Sequence, residues 1–497
     1  MRGRPAEFRG FLGGLNLVAG PRELSPAESP NLLNVTPNQQ GSEGSIASRF
    51  GDVAKWSVAH AAAVDSIHGF IHTDGKEVVL LGVVDDIYRS VDGGAPALVT
   101  SVAGRAPWWF VQAVRVAGSG QGPLYGVNGG GTAKAIFTDG SVVDWTASSG
   151  TLPNRATMLL YIGNRVWAAG MDTYGSLDDP LSALLFSDLG APRAWPAANV
   201  VVFNPGDGEQ IMGIGTLNSN IVVAKRTRCW LVYDLDTGAN RPLGSSGCVA
   251  PRSMVETPYG LVWLGPEGVM LTTGGDPRPI SDKIKPLLDS AEARGVSGDA
   301  AAAFVDDRYY LALNYPVDPG GDVVLGSPAD PAPPGALPGL LLEYDFSTES
   351  WWRHGTLSPI IGAVPVAAVN DLRYVLYGGR TDDIAVDHLL TDESLVLADG
   401  SSLSERYRTP YLPLAPTKAR VNALTVHGEG QVAVSVAKDY SDSFTTQIAG
   451  SSFPADGELR TMDLGMARSL ALLFANSSTT ERMVIDDFGI WAKARRD

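Results

Sequence analysis

Between residues 58 and 395 the chain is a succession of short apolar runs, each closed off by turn-forming residues. Glu77–Val84, Met158–Ile162, Arg165–Ala169, Asn220–Ala224, Cys229–Tyr233, Leu261–Leu264, Tyr309–Leu313, Leu340–Tyr344 and Tyr374–Tyr377 are such runs. Their boundaries carry Asp92-Gly93-Gly94, Gly163-Asn164, Asp236-Thr237-Gly238, Pro266-Glu267-Gly268 and Asp306-Asp307. Apolar stretches of this length between such turns read as strands and hairpins. Helical periodicity is clear only over Ser281–Arg294, which Gly295 ends.

The strands also group. Strand–turn–strand units start near 65, 108, 157, 210, 253, 301 and 360. A spacing of roughly 40 to 60 residues is that of propeller blades. Radial repetition leaves only short, protected sheet edges. The expected fold is therefore all-β, a β-propeller of about seven blades over residues 58–395. A pair of packed sandwiches is the rival architecture.

The two flanks read differently. Residues 1–57 mix apolar residues with Gly and Pro and do not look like a packed domain, so they read as an extended N-terminal arm. Apolar residues in an arm need a neighbour to bury them, in the same chain or in another subunit. Residues 396–497 alternate apolar and polar positions, as in Arg420–His427 and Gln431–Ala437. Alternation means one buried and one wet face, so this part reads as a C-terminal antiparallel β-sandwich. A Pro-rich segment, Pro316–Pro338, interrupts what is otherwise one hairpin of the propeller and reads as a contact loop or a mobile one.

Charge and chemistry narrow the function. The formal charge is −16, which disfavours phosphate gripping of nucleic acid. No stretch is long and apolar enough to span a membrane, and no secretion signal is expected. Cys229 and Cys248 lack the spacing of a zinc site and read as core thiols. His68 and His72 lie four apart, but on a strand rather than a helix, so they make no metal pair. Gly69 to Gly75-Lys76-Glu77 is one residue too long for a phosphate loop, and Glu77 replaces the magnesium-binding hydroxyl. No G-x-S-x-G elbow occurs. Ser90-Val91-Asp92-Gly93-Gly94 begins like the turn of sialidase-type propellers, then departs at Pro96 and Ala97. The tryptophan pairs Trp108-Trp109 and Trp351-Trp352 read as packing between blades. No catalytic residue, cofactor or metal is expected, and the chain reads as not an enzyme.

Several motifs resemble those of a known family. Gly13-Gly14-Leu15-Asn16, Glu23 to Glu28, Asn31 to Asn34 and Gly44 to Arg49-Phe50-Gly51 look like the opening of phage tail structural proteins. Tyr259 to Met270 with Pro279-Ile280-Ser281, Asp307 to Tyr310, and Glu343 to Trp352 resemble later blades of the same proteins. The pattern is similar to that of tail nozzle (tail tubular protein B-like) proteins of short-tailed phages.

That resemblance implies a structural virion protein of the phage tail, made in the host cytoplasm. Its subunits would form a ring, with six copies expected, assembled on the portal and adaptor or other tail proteins. Phage DNA would leave through the ring without specific binding. Six copies at −16 each carry −96, and such a wall repels phosphate. On this reading Phe8, Phe11, Leu15 and Leu17 of the arm form the subunit interface. The alternatives are a receptor-contacting tip protein of a longer tail, and a glycan-cleaving propeller enzyme.

Overall fold

The computed structural model describes residues 6–38, 44–58, 62–71, 76–104, 107–113, 123–137, 139–317, 336–368, 371–380, 384–392, 397, 399, 401, 403–414 and 418–494. Most of the Pro316–Pro338 segment lies outside them. Strands make up 54% of the structure and helix 5%, so the all-β expectation holds.

Seven four-stranded antiparallel sheets follow one another along the chain. They begin at Ser66, Trp109, Met158, Gly213, Val255, Ala301 and Ile360, close to the starts read from the sequence. The first strands of consecutive sheets lie side by side, and Ile360–Ala368 of the last lies beside Ser66–Ile71 of the first. This is a closed seven-bladed propeller, with blades numbered here in chain order.

The turns explain why the strands fold back where they do. Gly163 and Asn164 both have positive φ, +60° and +58°, as do Asp306 and Asp307 at +48° and +60°. Two consecutive residues in that region make the hairpin turn whose twist matches the flanking strands. Gly, Asn and Asp enter it at low cost.

The N-terminal segment is not a free arm. Gly51–Val58 pairs antiparallel with Ile384–Asp392 as the outer strand of blade 7, so the start of the chain closes the ring. Trp56 is buried there, edge-on to Tyr377 at 5.4 Å. Residues 6–38 and 44–48 instead complete the C-terminal domain. Ala6–Arg9 pairs with the final strand, Met483–Ala494. Asn31–Leu33 pairs with Glu405–Arg408, and Ile46–Ser48 with the final strand.

The C-terminal domain is a nearly closed antiparallel sheet built around one 20-residue strand, Ala419–Lys438. Its first half pairs with Glu458–Ala467 and Met483–Ala494. Its second half pairs with Thr445–Ser452 and Ser469–Asn476. The strand thus passes from one layer to the other, and register shifts mark its length. Asn31–Leu33 and Val35–Pro37, which follow one another in the chain, sit at the two ends of the strand path.

One apolar core joins the two domains. Leu264, Leu311, Leu342 and Trp351 of blades 5 and 6 share a cluster with Val421, Leu472, Phe474 and Phe488 of the C-terminal sheet. Phe11, Leu15 and Leu33 belong to the same cluster. The four residues that the resemblance assigns to a subunit interface all lie on this core. Phe11 and Leu15 are buried within their own chain, and Phe8 and Leu17 pack against that core. Phe8 stacks on Phe488 at 5.0 Å, and Phe11 meets the edge of Tyr407 at 5.5 Å. The apolar area of Phe11 and Leu15 is removed from water within the chain, and Phe8 and Leu17 stay partly exposed. Two- to four-residue strands carry no readable period, which is why the sequence left this segment unpaired.

Candidate functional site

Two places concentrate polar chemistry among the described residues. The first is the junction where the N-terminal segment crosses blade 6. Gly14 lies against its outer strand: a Cβ there would sit 2.6 Å from the Trp351 carbonyl oxygen, and φ is +67°. Only glycine fits both restrictions. Asn16 Nδ2 donates to Glu28 Oε1 at 3.1 Å, and the Leu17 amide to the Lys283 carbonyl at 2.8 Å. Lys283 in turn lies 3.0 Å from Glu28. Further along, the Asn34 amide donates to the Arg353 carbonyl at 2.9 Å. Arg353 Nε returns a bond to the Leu32 carbonyl at 2.9 Å. Trp351 Nε1 donates to the Ile280 carbonyl at 2.7 Å, and Tyr259 stacks on Phe346 at 4.2 Å.

Glu343 is the charged centre of this junction. Its Oε1 lies 2.7 Å from Arg308 and accepts from Thr36 Oγ1 at 3.1 Å; its Oε2 lies 2.9 Å from His354 Nε2. Burial pushes the Glu343 carboxyl up, but Arg308, His354 and Thr36 outweigh it and hold it below its ordinary value. Burial holds the His354 imidazole below its ordinary value despite the pull of Glu343. The Thr36 hydroxyl faces the carboxylate rather than the imidazole. His354 is therefore not placed to take its proton, and the group works as a buried ion network.

The second place is one mouth of the propeller axis, where the first strands begin. A cavity of about 240 Å³ opens there, lined among others by Trp109, Met158, Met212, Arg252 and Asp299. Arg252, ahead of blade 5, reaches across to blade 1 and donates from Nη1 to the Asp65 carbonyl. Its Nη2 donates to the Asp299 carbonyl at 3.4 Å. His68 lies close by, with Nε2 3.1 Å from the Trp108 carbonyl. Burial drives the His68 imidazole down to about 4, so it is neutral at pH 7.

The other residues singled out in the sequence are structural. Trp108, Trp351 and Trp352 are buried, whereas Trp109 is only partly so and lines the mouth. Ser90 Oγ donates to the Gly94 carbonyl at 2.5 Å and the Glu77 amide to Asp92 Oδ1 at 3.0 Å, so that motif closes a turn. Cys229 and Cys248 are free and buried. His72 lies outside the described residues. Arg252 and Met212 were missed because nothing local marks them; the signal was their place just before a blade.

No family model matches the chain and no curated protein matches it. Solved structures resemble it at low scores. The extracellular domain of the hybrid two-component system BT4673 of B. thetaiotaomicron has a TM-score of 0.40 at 10% identity, over 85% of this chain and 46% of that one. The AfRom2 CNH domain has 0.38 at 10%, over 68% and 99%. PorZ, a surface component of the type-IX secretion system of Porphyromonas gingivalis, has 0.34 at 11%, over 70% and 38%. This chain thus spans less than half of the BT4673 and PorZ structures. At these scores the likeness carries no argument about what this chain does.

Proposed function

We propose that this chain is a structural virion protein of a phage tail, a ring-forming nozzle subunit with no catalytic role. One observation carries the reading. The segments that resemble tail proteins are spread over residues 13–51, 259–281 and 307–352, yet they meet in one junction. Gly14 lies on Trp351, Trp351 on Ile280, and Tyr259 on Phe346. Motifs that share one three-dimensional purpose are a stronger likeness than the same motifs read singly.

In this reading six copies enclose the DNA exit channel between them, assembled on the portal and adaptor. Arg252 crosses the propeller's own axis, so DNA runs between subunits rather than through a propeller. The net charge of −16 per chain keeps the wall from holding phosphate.

Negative-stain imaging of virions labelled with antibody against this chain tests the proposal. Label at the end of a short tail, near the portal, is the expected result. Label at the tip of a long tail would transfer the chain to receptor contact. Absence of label from every virion would overturn the tail assignment.

A further inference from the structure

We propose that the axial mouth beside Arg252 is a binding site for a small aromatic carboxylate. The charge argument comes first. Arg252 is partly buried and its guanidinium donates to two main-chain carbonyls, those of Asp65 and Asp299. No carboxylate lies within ion-pair distance of it among the described residues. A guanidinium presents five donors in a fork that matches a carboxylate. A desolvated charge without a counter-charge in contact is costly. Burial accordingly lowers the Arg252 pKa although Asp65 and Asp299 oppose the change.

The surrounding groups favour an anion with a flat apolar body. The Asp65 carboxylate is turned away, accepting from the Val84 amide at 2.8 Å. His68 is neutral and adds no competing charge. Trp109 supplies an indole, and Met158 and Met212 supply thioethers that adapt to a ring and contact aromatic faces well. Size sets the class. A cavity of 150 Å³ holds benzene, and drug-sized pockets begin at about 300 Å³. At about 240 Å³ this one suits a single ring bearing one carboxylate. Among the described residues Asp299 is the one carboxylate on the cavity wall; it is exposed and its charge acts on Arg252, so it is the ligand's competitor.

Calorimetric titration of the full chain with phenylacetate and with its neutral isostere phenylacetamide tests the assignment. Phenylacetate is expected to bind at least about tenfold more tightly, a difference worth one carboxylate–guanidinium pair. Asp299→Asn is expected to tighten phenylacetate severalfold and leave phenylacetamide unchanged. Met212→Trp fills the cavity without touching Arg252 and is expected to abolish both, while Arg252→Met abolishes only the preference. Because Arg252→Met removes a cross-axis contact, the other two variants keep the test valid if it fails to fold. No binding of phenylacetate to about 10 mM, the weakest range for ligands of this size, would overturn the proposal. So would equal affinity for the amide, or binding that survives Met212→Trp.

Discussion

Arg49 and Asp52 form a bidentate ion pair, Nη1 to Oδ1 at 2.9 Å and Nη2 to Oδ2 at 3.1 Å, with both side chains 2% exposed. The pair sits where the chain leaves the C-terminal domain and enters blade 7. Arg49 also donates to the Gly355 carbonyl of blade 6 at 2.9 Å and to Asn34 Oδ1 at 3.3 Å. Asp52 accepts from the Leu390 amide of blade 7 at 3.1 Å. Two adjacent side chains therefore fasten two blades and the second domain together.

Removing one member leaves the other charged and buried without its counter-charge. Arg49→Ala is expected to lower unfolding stability by about 3–5 kcal/mol in denaturant titration. A loss under about 1 kcal/mol would mean that water reaches Asp52 and the junction is looser than described.

Phe11 tests where the N-terminal segment belongs. Phe11→Ala is expected to cost about 3–5 kcal/mol, the range for a buried phenylalanine. Deleting residues 1–20 should abolish soluble folding, since it removes Phe8, Phe11 and Leu15 from the shared core. A deletion variant that stays folded but fails to form rings would return these residues to a subunit interface.

Gly14→Ala adds one methyl group where φ is +67° and the Trp351 carbonyl oxygen would lie 2.6 Å away. The backbone strain alone is about 1–3 kcal/mol, and the clash adds to it. Thermal unfolding should show a drop well beyond that of an exposed Gly→Ala change such as Gly275→Ala, where nothing lies within 4 Å.

Glu405 makes the stability depend on pH. Its Oε2 accepts from Ser48 Oγ at 2.6 Å and from Asn476 Nδ2 at 3.0 Å, while Oε1 has no partner among the described residues. Burial pushes its carboxyl up to about 7, from 4.5, against the pull of these donors and of Arg482 and Arg49. The folded chain holds this proton more tightly than the unfolded chain does. The stabilisation is complete below about pH 4.5 and is lost as pH rises through about 7, a change on the order of 3 kcal/mol. Glu405→Gln should remove this dependence and be more stable than the parent at pH 8. A parent at least as stable as the variant at pH 8 would show that Glu405 ionises without cost.

The two cysteines should be silent in the folded chain. Burial pushes both thiols up to about 12, so almost no thiolate exists at pH 8. An aromatic disulfide reagent should label neither until denaturant is added. Rapid labelling of either thiol would contradict its burial.

The legible part of this fold was the part made of local pattern. Blade starts, hairpin turns such as Gly163-Asn164, and the helix Lys285–Ala293 within Ser281–Arg294 could all be placed from residues a few positions apart. The junction could be seen only as disconnected motifs, and the axial mouth not at all. Arg252 and Asp65 are 187 positions apart, and neither residue's neighbours mark the contact.

Local chemistry thus determined the strands, the turns and the recurrence of blades, because apolar spacing and positive-φ residues act within a few residues of themselves. Only the tertiary structure decided where residues 6–58 belong. Strands of two to four residues gain little alone, and their pairing is set by the distant edges they complete: Phe8 on Phe488 and Leu33 beside Arg406. The longer strand Gly51–Val58 likewise finds its partner far along the chain, with Trp56 opposite Val386.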